Sequence, residues 1–301
     1  MTFLSTTPVI NLNQEEATVT RPDFDAPRSG WDRPHLPQFA TSPQQLKGLV
    51  HKTLVVAELE VRKLRHDPSD LLLRAVQPAL WLLIFGQVFT RVRAIPTGNL
   101  RYLDFLAPGI LAQSVLFVAI FSAMTIIWER DLGIVHKFLA SPTPRISLVL
   151  GKALSAGVRS LVQVGIVYLI TWILGVNLNF NPLALLGVLI VVLLGAACFS
   201  LFSLTVACLV KTRERFMGIG QLMTMPLFFA SNAIYPIALM PVWLQLASRL
   251  NPLTYQVDAL RNLMLIGGTT TYGLGLDIVI LLVTATGLTL LCARLYPRIV
   301  M

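Results

Sequence analysis

From Ser160 to Val210 the chain carries no charged residue. One helix needs only about 20 residues to cross a bilayer, so this stretch holds two crossings. Asn177, Asn179, Asn181 and Pro182 mark the turn that divides them. Phe105 to Trp128 and Met217 to Ser248 are also free of charge. Over the whole sequence apolar residues make up 55% and charged residues 13%, against about 25% charged in soluble domains. A chain so poor in charge cannot wet its own surface. Lipid is therefore its solvent, which excludes a secreted enzyme, a nucleic-acid-binding domain and a disordered scaffold. The net charge of +9 then reads as Lys and Arg gathered in cytoplasmic loops rather than as a nucleic-acid footprint.

The expected fold is an all-α integral membrane protein with six spans, at about 71–91, 104–127, 147–175, 183–210, 216–235 and 273–294. Arg74, near the start of the first, can snorkel to the inner surface. Residues 1–40 hold Pro8, Pro22, Pro27, Pro34 and Pro37 but no apolar run, the pattern of a disordered cytoplasmic tail and not of a signal peptide. Residues 41–67 read as an amphipathic helix lying in the membrane interface. Ser42 suits its N-cap and Pro43 its first position, and Leu46, Val50, Leu54, Ala57, Val61 and Leu64 form its apolar stripe. Residues 68–301 form the six-span domain. With the N-terminus inside, fourteen Lys and Arg of the loops and flanks fall on the inner side. Five fall on the outer side, namely Arg91, Arg93, Arg101, Arg249 and Arg261. That bias places both termini in the cytoplasm.

Pro226, Pro236 and Pro241 interrupt the run from Met217 to Ser248, so a single straight helix is excluded there. A short amphipathic helix is expected from Met240 to Leu250, started by Pro241, with Trp243, Leu246, Ala247 and Leu250 on one face. Residues 236–270 thus form a re-entrant or interfacial element between the fifth and sixth spans, since irregular backbone at membrane depth must be buried in protein or line a cavity.

Catalytic chemistry is hard to find. No GxxxxGK[ST] phosphate loop, HExxH, GxSxG or Cys/His cluster occurs, so neither bound cofactor nor metal is expected. Cys198, Cys208 and Cys292 lie in apolar runs and read as packing residues. Asp104 and Asp277 fall at outer span ends, where an interfacial position is expected. Arg159 lies within the third span. Either it lines a polar path between spans or pairs with another subunit, or it snorkels from a span that starts later.

The inner loop from Trp128 to Arg145 mixes charge (Glu129, Arg130, Asp131) with apolar residues (Leu132, Val135, Phe138, Leu139). A solvated connector has no use for the latter; a segment that docks on a cytoplasmic partner does. Together with Phe105-Leu106-Ala107-Pro108-Gly109-Ile110 and the segment from Asn251-Pro252-Leu253-Thr254-Tyr255 to Asp258-Ala259-Leu260-Arg261, this loop resembles the permease subunits of ABC-2-type exporters, of the daunorubicin-resistance branch, over residues 42–298. The resemblance implies a permease working as a dimer, with a second copy or a paralogue, in the plasma membrane. It exports a hydrophobic or amphiphilic substrate such as a drug, lipid or lipid-linked glycan, with ATP-Mg bound and hydrolysed on a separate ABC ATPase subunit. Glu129, Arg130, Asp131, Leu132, Phe138 and Leu139 would then touch the ATPase. An outer gate would be formed by Pro236, Trp243, Asn251, Pro252, Tyr255, Asp258 and Arg261. Asp258 and Arg261, three apart, are expected to pair on one helical face. The dimer interface would carry the path, faced by small and polar residues of the second and fifth spans: Gly109, Ser114, Ser122, Gly218, Gly220, Gln221 and Thr224. An ion-coupled secondary transporter, which needs a titratable group at midplane, and a membrane-embedded enzyme remain the alternatives. In the exporter, Phe138→Asp would put a charge into an apolar docking patch at a cost of about 2 kcal/mol or more. The protein should insert normally while ATP turnover no longer drives export; normal transport by this variant would refute the docking role.

Overall fold

Residues 76–92, 95–98, 100–133, 145–210 and 212–296 are described by a computed structural model, and all belong to one compact unit, Pro37–Met301. The tail, the 41–67 helix, and Phe138 and Leu139 lie outside the described residues.

Among the described residues the architecture is all-helical. Helix α1 spans Val76–Val92, with a π-helical stretch at Trp81–Gly86. It is followed by α2 (Tyr102–Ser122), α3 (Met124–Asp131), α4 (Arg145–Ile173), α5 (Pro182–Leu209) and α6 (Arg213–Phe229). After these come α7 (Val242–Leu250), α8 (Pro252–Met264) and α9 (Leu274–Leu295). Four stretches are long and apolar enough to cross a membrane: Tyr102–Asp131, Leu148–Ile173, Pro182–Leu209 and Leu274–Leu295. They match the second, third, fourth and sixth expected spans to within a few residues. Helix α1 is apolar but shorter. Helix α6 ends at Phe229, six residues before the expected end, because Pro226 removes an N–H from its last turns and the chain folds back at Ala230–Ala233.

Helix α5 is the hub, packing against α2, α4, α8 and α9. Its start is fixed locally. Gly175 takes a positive φ of 70° after α4, Asn181 accepts a hydrogen bond from Leu183 N at 3.0 Å, and Pro182 occupies the first turn. The turn before it pairs with the end of α8 through Asn179 N to Met264 O (2.8 Å) and Ile266 N to Asn177 O (3.0 Å). Helix α2 is buried without a break from Tyr102 to Leu116. By contrast α9 buries only Asp277, Leu281, Cys292 and Ala293 and exposes Leu276, Val279, Leu282, Val283, Leu290 and Leu291, an apolar surface that suits lipid. All three cysteines are free and buried.

This packing adds to one expectation and corrects another: Asp104 and Asp277 stand in the first turns of α2 and α9, at the expected span ends. Both are buried within the protein, at 3% and 0% exposure. Asp104 is held by Arg101, which also reaches Gly175 O across the bundle. Gly109 and Ser114 do not face outward either. A Cβ on Gly109 would come 2.8 Å from the Cα of Ala233, and Ser114 is buried and bonded to Ile110 O. The close approach of two backbones inside one chain, not between chains, is what Gly109 permits. Gly218 and Gln221 on α6 do stay exposed, whereas Gly220 and Thr224 are buried.

Because the atom a methyl would strike at Gly109 is backbone, it cannot swing aside. Gly109→Ala should destabilise the protein by about 1–3 kcal/mol, the usual cost of overpacking, visible as a lower melting temperature in detergent. Gly165, whose Cβ position is open, is the control: Gly165→Ala should melt no lower than the parent.

Candidate functional site

Two polar regions at opposite ends of the bundle gather most of the residues singled out in the sequence. At one end, α3 carries the acidic start of the 128–145 loop. Glu129 turns inward to Lys152 of α4, with Oε1 at 2.7 Å from Nζ and both side chains mostly covered. Asp131 accepts from Arg130 (3.0 Å) and from Arg213 Nε at the start of α6 (2.8 Å). The Arg213 guanidinium also lies 5.1 Å over the Trp128 ring, and Arg130 donates to Val210 O at the end of α5 (3.3 Å). Thr212 caps α6 through its hydroxyl to Arg215 N. The end of α3 is thereby tied to α4, α5 and α6. Leu132 projects beyond this network at 70% exposure, and Trp128 at 53%. Lys152 and Arg213 appear in the sequence only as loop cations; no spacing rule pairs residues so far apart in the chain.

At the other end, the 236–262 segment contains the short helix expected from Met240 to Leu250, here α7 (Val242–Leu250), and a second helix, α8, directly after it. Helix α7 is amphipathic, with Val242, Trp243, Leu246 and Leu250 exposed and Ser248 buried. Pro241 stands at its N-cap and Pro236 at that of a 3-10 turn, Ile237–Leu239. Asn251 then caps α8, accepting from Leu253 N at 3.0 Å, and its Nδ2 donates to Leu227 O of α6 (2.6 Å). Helix α8 sits between α2, α5 and α9 and is buried at every residue from Leu253 to Arg261. Gln256 is accommodated because α5 has Gly195 there: a Cβ would collide with the Gln256 carboxamide. Tyr255 donates to Arg249 O (2.7 Å) and packs on Tyr272.

Asp258 and Arg261 do not pair with one another, contrary to the helical-face expectation. Each is drawn away by a better partner. The Asp258 carboxylate accepts from Thr271 N (2.7 Å), the Thr271 hydroxyl (3.0 Å) and Tyr272 N (3.0 Å), closing the turn before α9. Arg261 donates to Asn232 O in the turn after α6 (2.8 Å) and lies 3.8 Å over the Phe105 ring of α2. Desolvated cation–π contacts of this kind are worth about 2 kcal/mol.

Two recesses complete the picture. A cavity of about 160 Å³ lies between α1 and α2, lined by Gln77, Pro78, Gln113, Ser114, Phe117 and Phe121. Gln113 is 3% exposed and makes no hydrogen bond among the described residues. The sequence pattern gave no warning of it, since a lone Gln in an apolar helix carries no spacing signal. Arg159 lines a small crevice between α3, α4 and α5, with Ser155, Ser200 and Thr125 but also Ala123, Ile126 and Leu204 around it. Among the described residues no group of three His, Cys, Asp or Glu is placed to hold a metal ion.

Comparison with known proteins gives a single answer. The profile of the ABC-2 type transporter family matches residues 51–265. A putative transport permease, ycf38, of Cyanophora paradoxa is 32% identical, covering 67% of this chain and 70% of that one. The daunorubicin resistance ABC transporter permease protein DrrB1 of Streptomyces coeruleorubidus is 24% identical, covering 78% and 81%. The probable multidrug ABC transporter permease YbhR of Escherichia coli K12 is 29% identical, covering 56% and 45%. The match takes in the ion-paired end of α3 and the whole buried segment after α6. This chain belongs to the ABC-2 type transporter family, as a transporter's membrane component.

Proposed function

We propose that the protein is the permease of an ATP-driven exporter of hydrophobic or amphiphilic molecules, with ATP hydrolysed by a separate ABC ATPase subunit. The observation that carries this reading is the inner network, in which Asp131, Arg213, Glu129 and Lys152 bind the end of α3 to α4 and α6. A partner pressing on the 128–145 loop would move three helices through it. The permeases of drug and multidrug transporters among its relatives support the same reading. Leu132 and Trp128 offer apolar surface to the ATPase, together with Phe138 and Leu139 of the same loop; Glu129 contributes by holding α4 rather than by touching the partner. The 160 Å³ recess between α1 and α2, with carboxamides, a hydroxyl and phenyl rings in its wall, offers an amphiphile both kinds of contact.

The proposed topology has six crossings, adding α1 and α6 to the four long spans. At 17 residues, α6 is about 25 Å long, short for a hydrocarbon core of about 30 Å, and the exposed apolar α7 continues it at the outer surface. Both termini are cytoplasmic, the membrane is the plasma membrane, and the working unit is a dimer with the path at its interface. The exposed face of α6, with Met217, Gly218, Gln221, Leu222 and Met225, replaces α2 as the surface proposed to meet the second copy.

Reconstitution with an ABC ATPase that co-purifies with this chain tests the reading: candidate substrates should stimulate ATP hydrolysis, and a complex that hydrolyses ATP without moving any amphiphile would refute it. Within such a complex, Asp131→Asn and Arg213→Gln should each lower export while leaving basal ATP hydrolysis intact. Exposed ion pairs contribute only about 0.2–1 kcal/mol to stability, so the protein should still fold. Equal export by parent and variants would remove the network from the mechanism.

The outer segment gives a second test. Helix α7 is proposed to lie in the outer leaflet, closing the path from above with α8. Single cysteines at 242, 243, 246 and 250 should resist a membrane-impermeant thiol reagent. Free reaction at all four positions would put α7 in water.

A further inference from the structure

Gln113, Phe117 and Phe121 stand at i, i+4 and i+8 of α2 and form one stripe along it. Across the recess of about 160 Å³ they meet Gln77 and Pro78 of α1. The recess has a floor and a lip. Pro78, Gln113, Ser114 and Val118 are buried, whereas Gln77, Phe117 and Phe121 are half-buried. The floor thus carries a carboxamide and a hydroxyl. The lip carries a second carboxamide and two phenyl rings, 10° from parallel with centroids 6.1 Å apart. One turn along α1 the π-helical stretch Trp81–Gly86 begins, an irregularity frequent at functional sites.

Hydrogen-bond accounting says what the floor lacks. The Ser114 hydroxyl donates to Ile110 O (2.8 Å), so toward the recess it has lone pairs only. The Gln113 carboxamide, without a partner among the described residues, has an acceptor and two donors. A covered amide left in that state is rare unless something else satisfies it. At about 30 Å³ each, about five waters fill such a space, and a ligand that displaces them has to replace their hydrogen bonds. It must donate to Ser114, and both donate to and accept from Gln113. Depth sets its charge. Gln113 lies eleven residues past Tyr102, where the span begins, about 16 Å along it and midway through a hydrocarbon core of about 30 Å. A charge at that depth is costly without a counter-charge, and none of the described residues lining the recess is charged. Volume sets its size. A cavity of about 150 Å³ holds benzene, so this one takes a head of about one ring or one glycerol and leaves the chain at the phenyl lip.

We infer that the recess binds, head first, the small uncharged head of an amphiphile that donates and accepts hydrogen bonds at once. Gln113 and Ser114 read the head; Phe117 and Phe121 hold the start of the chain. As a loading point for cargo the site rests on the export reading; as a binding site it does not. The test uses the full chain in micelles of a zwitterionic detergent, with native mass spectrometry counting retained ligand. The probes share one oleoyl or oleyl chain: monooleoylglycerol and oleamide are neutral, lysophosphatidylglycerol is anionic and oleylamine cationic. The parent should retain the neutral probes preferentially. Retention of both would show that the shared donor-and-acceptor chemistry suffices, and retention of one that the floor tells a diol from an amide; either supports the inference. Gln113→Leu should weaken retention about fivefold, the factor that one neutral hydrogen bond supplies. It should melt no lower than the parent, because it removes an unpaired amide from a covered site. Ser114→Ala should weaken retention by a smaller factor. Equal retention by the parent, Gln113→Leu and Ser114→Ala, or stronger retention of either charged probe, would overturn the inference; should Gln113→Leu fail to fold, Ser114→Ala and the charged probes decide. Loss of export with retention intact would count against the export reading and leave the site standing.

Discussion

A chain that interrupts its helices inside an apolar bundle must find a partner for every hydrogen-bonding group it frees, because no water is at hand to do so. That constraint governs residues 226–273, where α6, α7, α8 and α9 meet. The freed Leu227 carbonyl receives Asn251 Nδ2, the carbonyl of Asn232 receives the Arg261 guanidinium, and the N–H groups of Thr271 and Tyr272 are taken by Asp258. Past α8, Asn177 and Met264 exchange backbone bonds with Ile266 and Asn179. Gln245, Asn251, Asp258, Arg261 and Asn262 each serve a gap in the backbone. Seen this way Asp258 and Arg261 are not an ion pair but two separate repairs on one helix.

The same constraint explains why the segments that resemble the family look as they do. In Phe105 to Ile110, Phe105 supplies the ring under Arg261 and Gly109 lets the Ala233 backbone come close. In Asn251 to Tyr255, Asn251 is at once a helix cap and a donor to α6, Pro252 starts α8, and Tyr255 ties back to Arg249. These two motifs, far apart in sequence, are the two sides of one contact between α2 and α8.

How much of this was legible beforehand follows from the range of each interaction. Span positions rest on local runs of apolar residues, so four of them could be read to within a few residues. Caps such as Asn181 and Asn251 are also local. The fifth span ends earlier than expected because the charge-free run continues past Phe229 to Ser248 while the backbone, released by Pro226, turns inward to meet Gly109. Asp104 and Asp277 stand at the span ends the sequence indicates, but position along a span does not reveal that protein covers both. The pairing of Asp131 with Arg213, 82 residues on, leaves no trace in any local pattern. Small residues on α2 suggested contact between subunits, but the rule that small residues permit close approach is silent on whose backbone approaches.

The two ends of the bundle differ in how easily they can change. The ion pair of Asp131 and Arg213 is partly open to solvent, with side chains 33% and 41% exposed, so water can replace either partner and the pair breaks and re-forms at little cost. The contacts of Asp258, Arg261 and Asn251 at the other end are buried; freeing any one of them strands a polar group. The contacts around α3 can therefore change one at a time, whereas α8 can leave its place only if the turns after α6 and before α9 travel with it. Helix α5 touches both ends. Its C-terminal half receives Arg130 at Val210 and holds α2 through Ser203, and further toward its N-terminus it accommodates Gln256 over Gly195. One helix of 28 residues thus joins a partly solvated network, whose contacts exchange singly, to a buried one, whose contacts can be released only together.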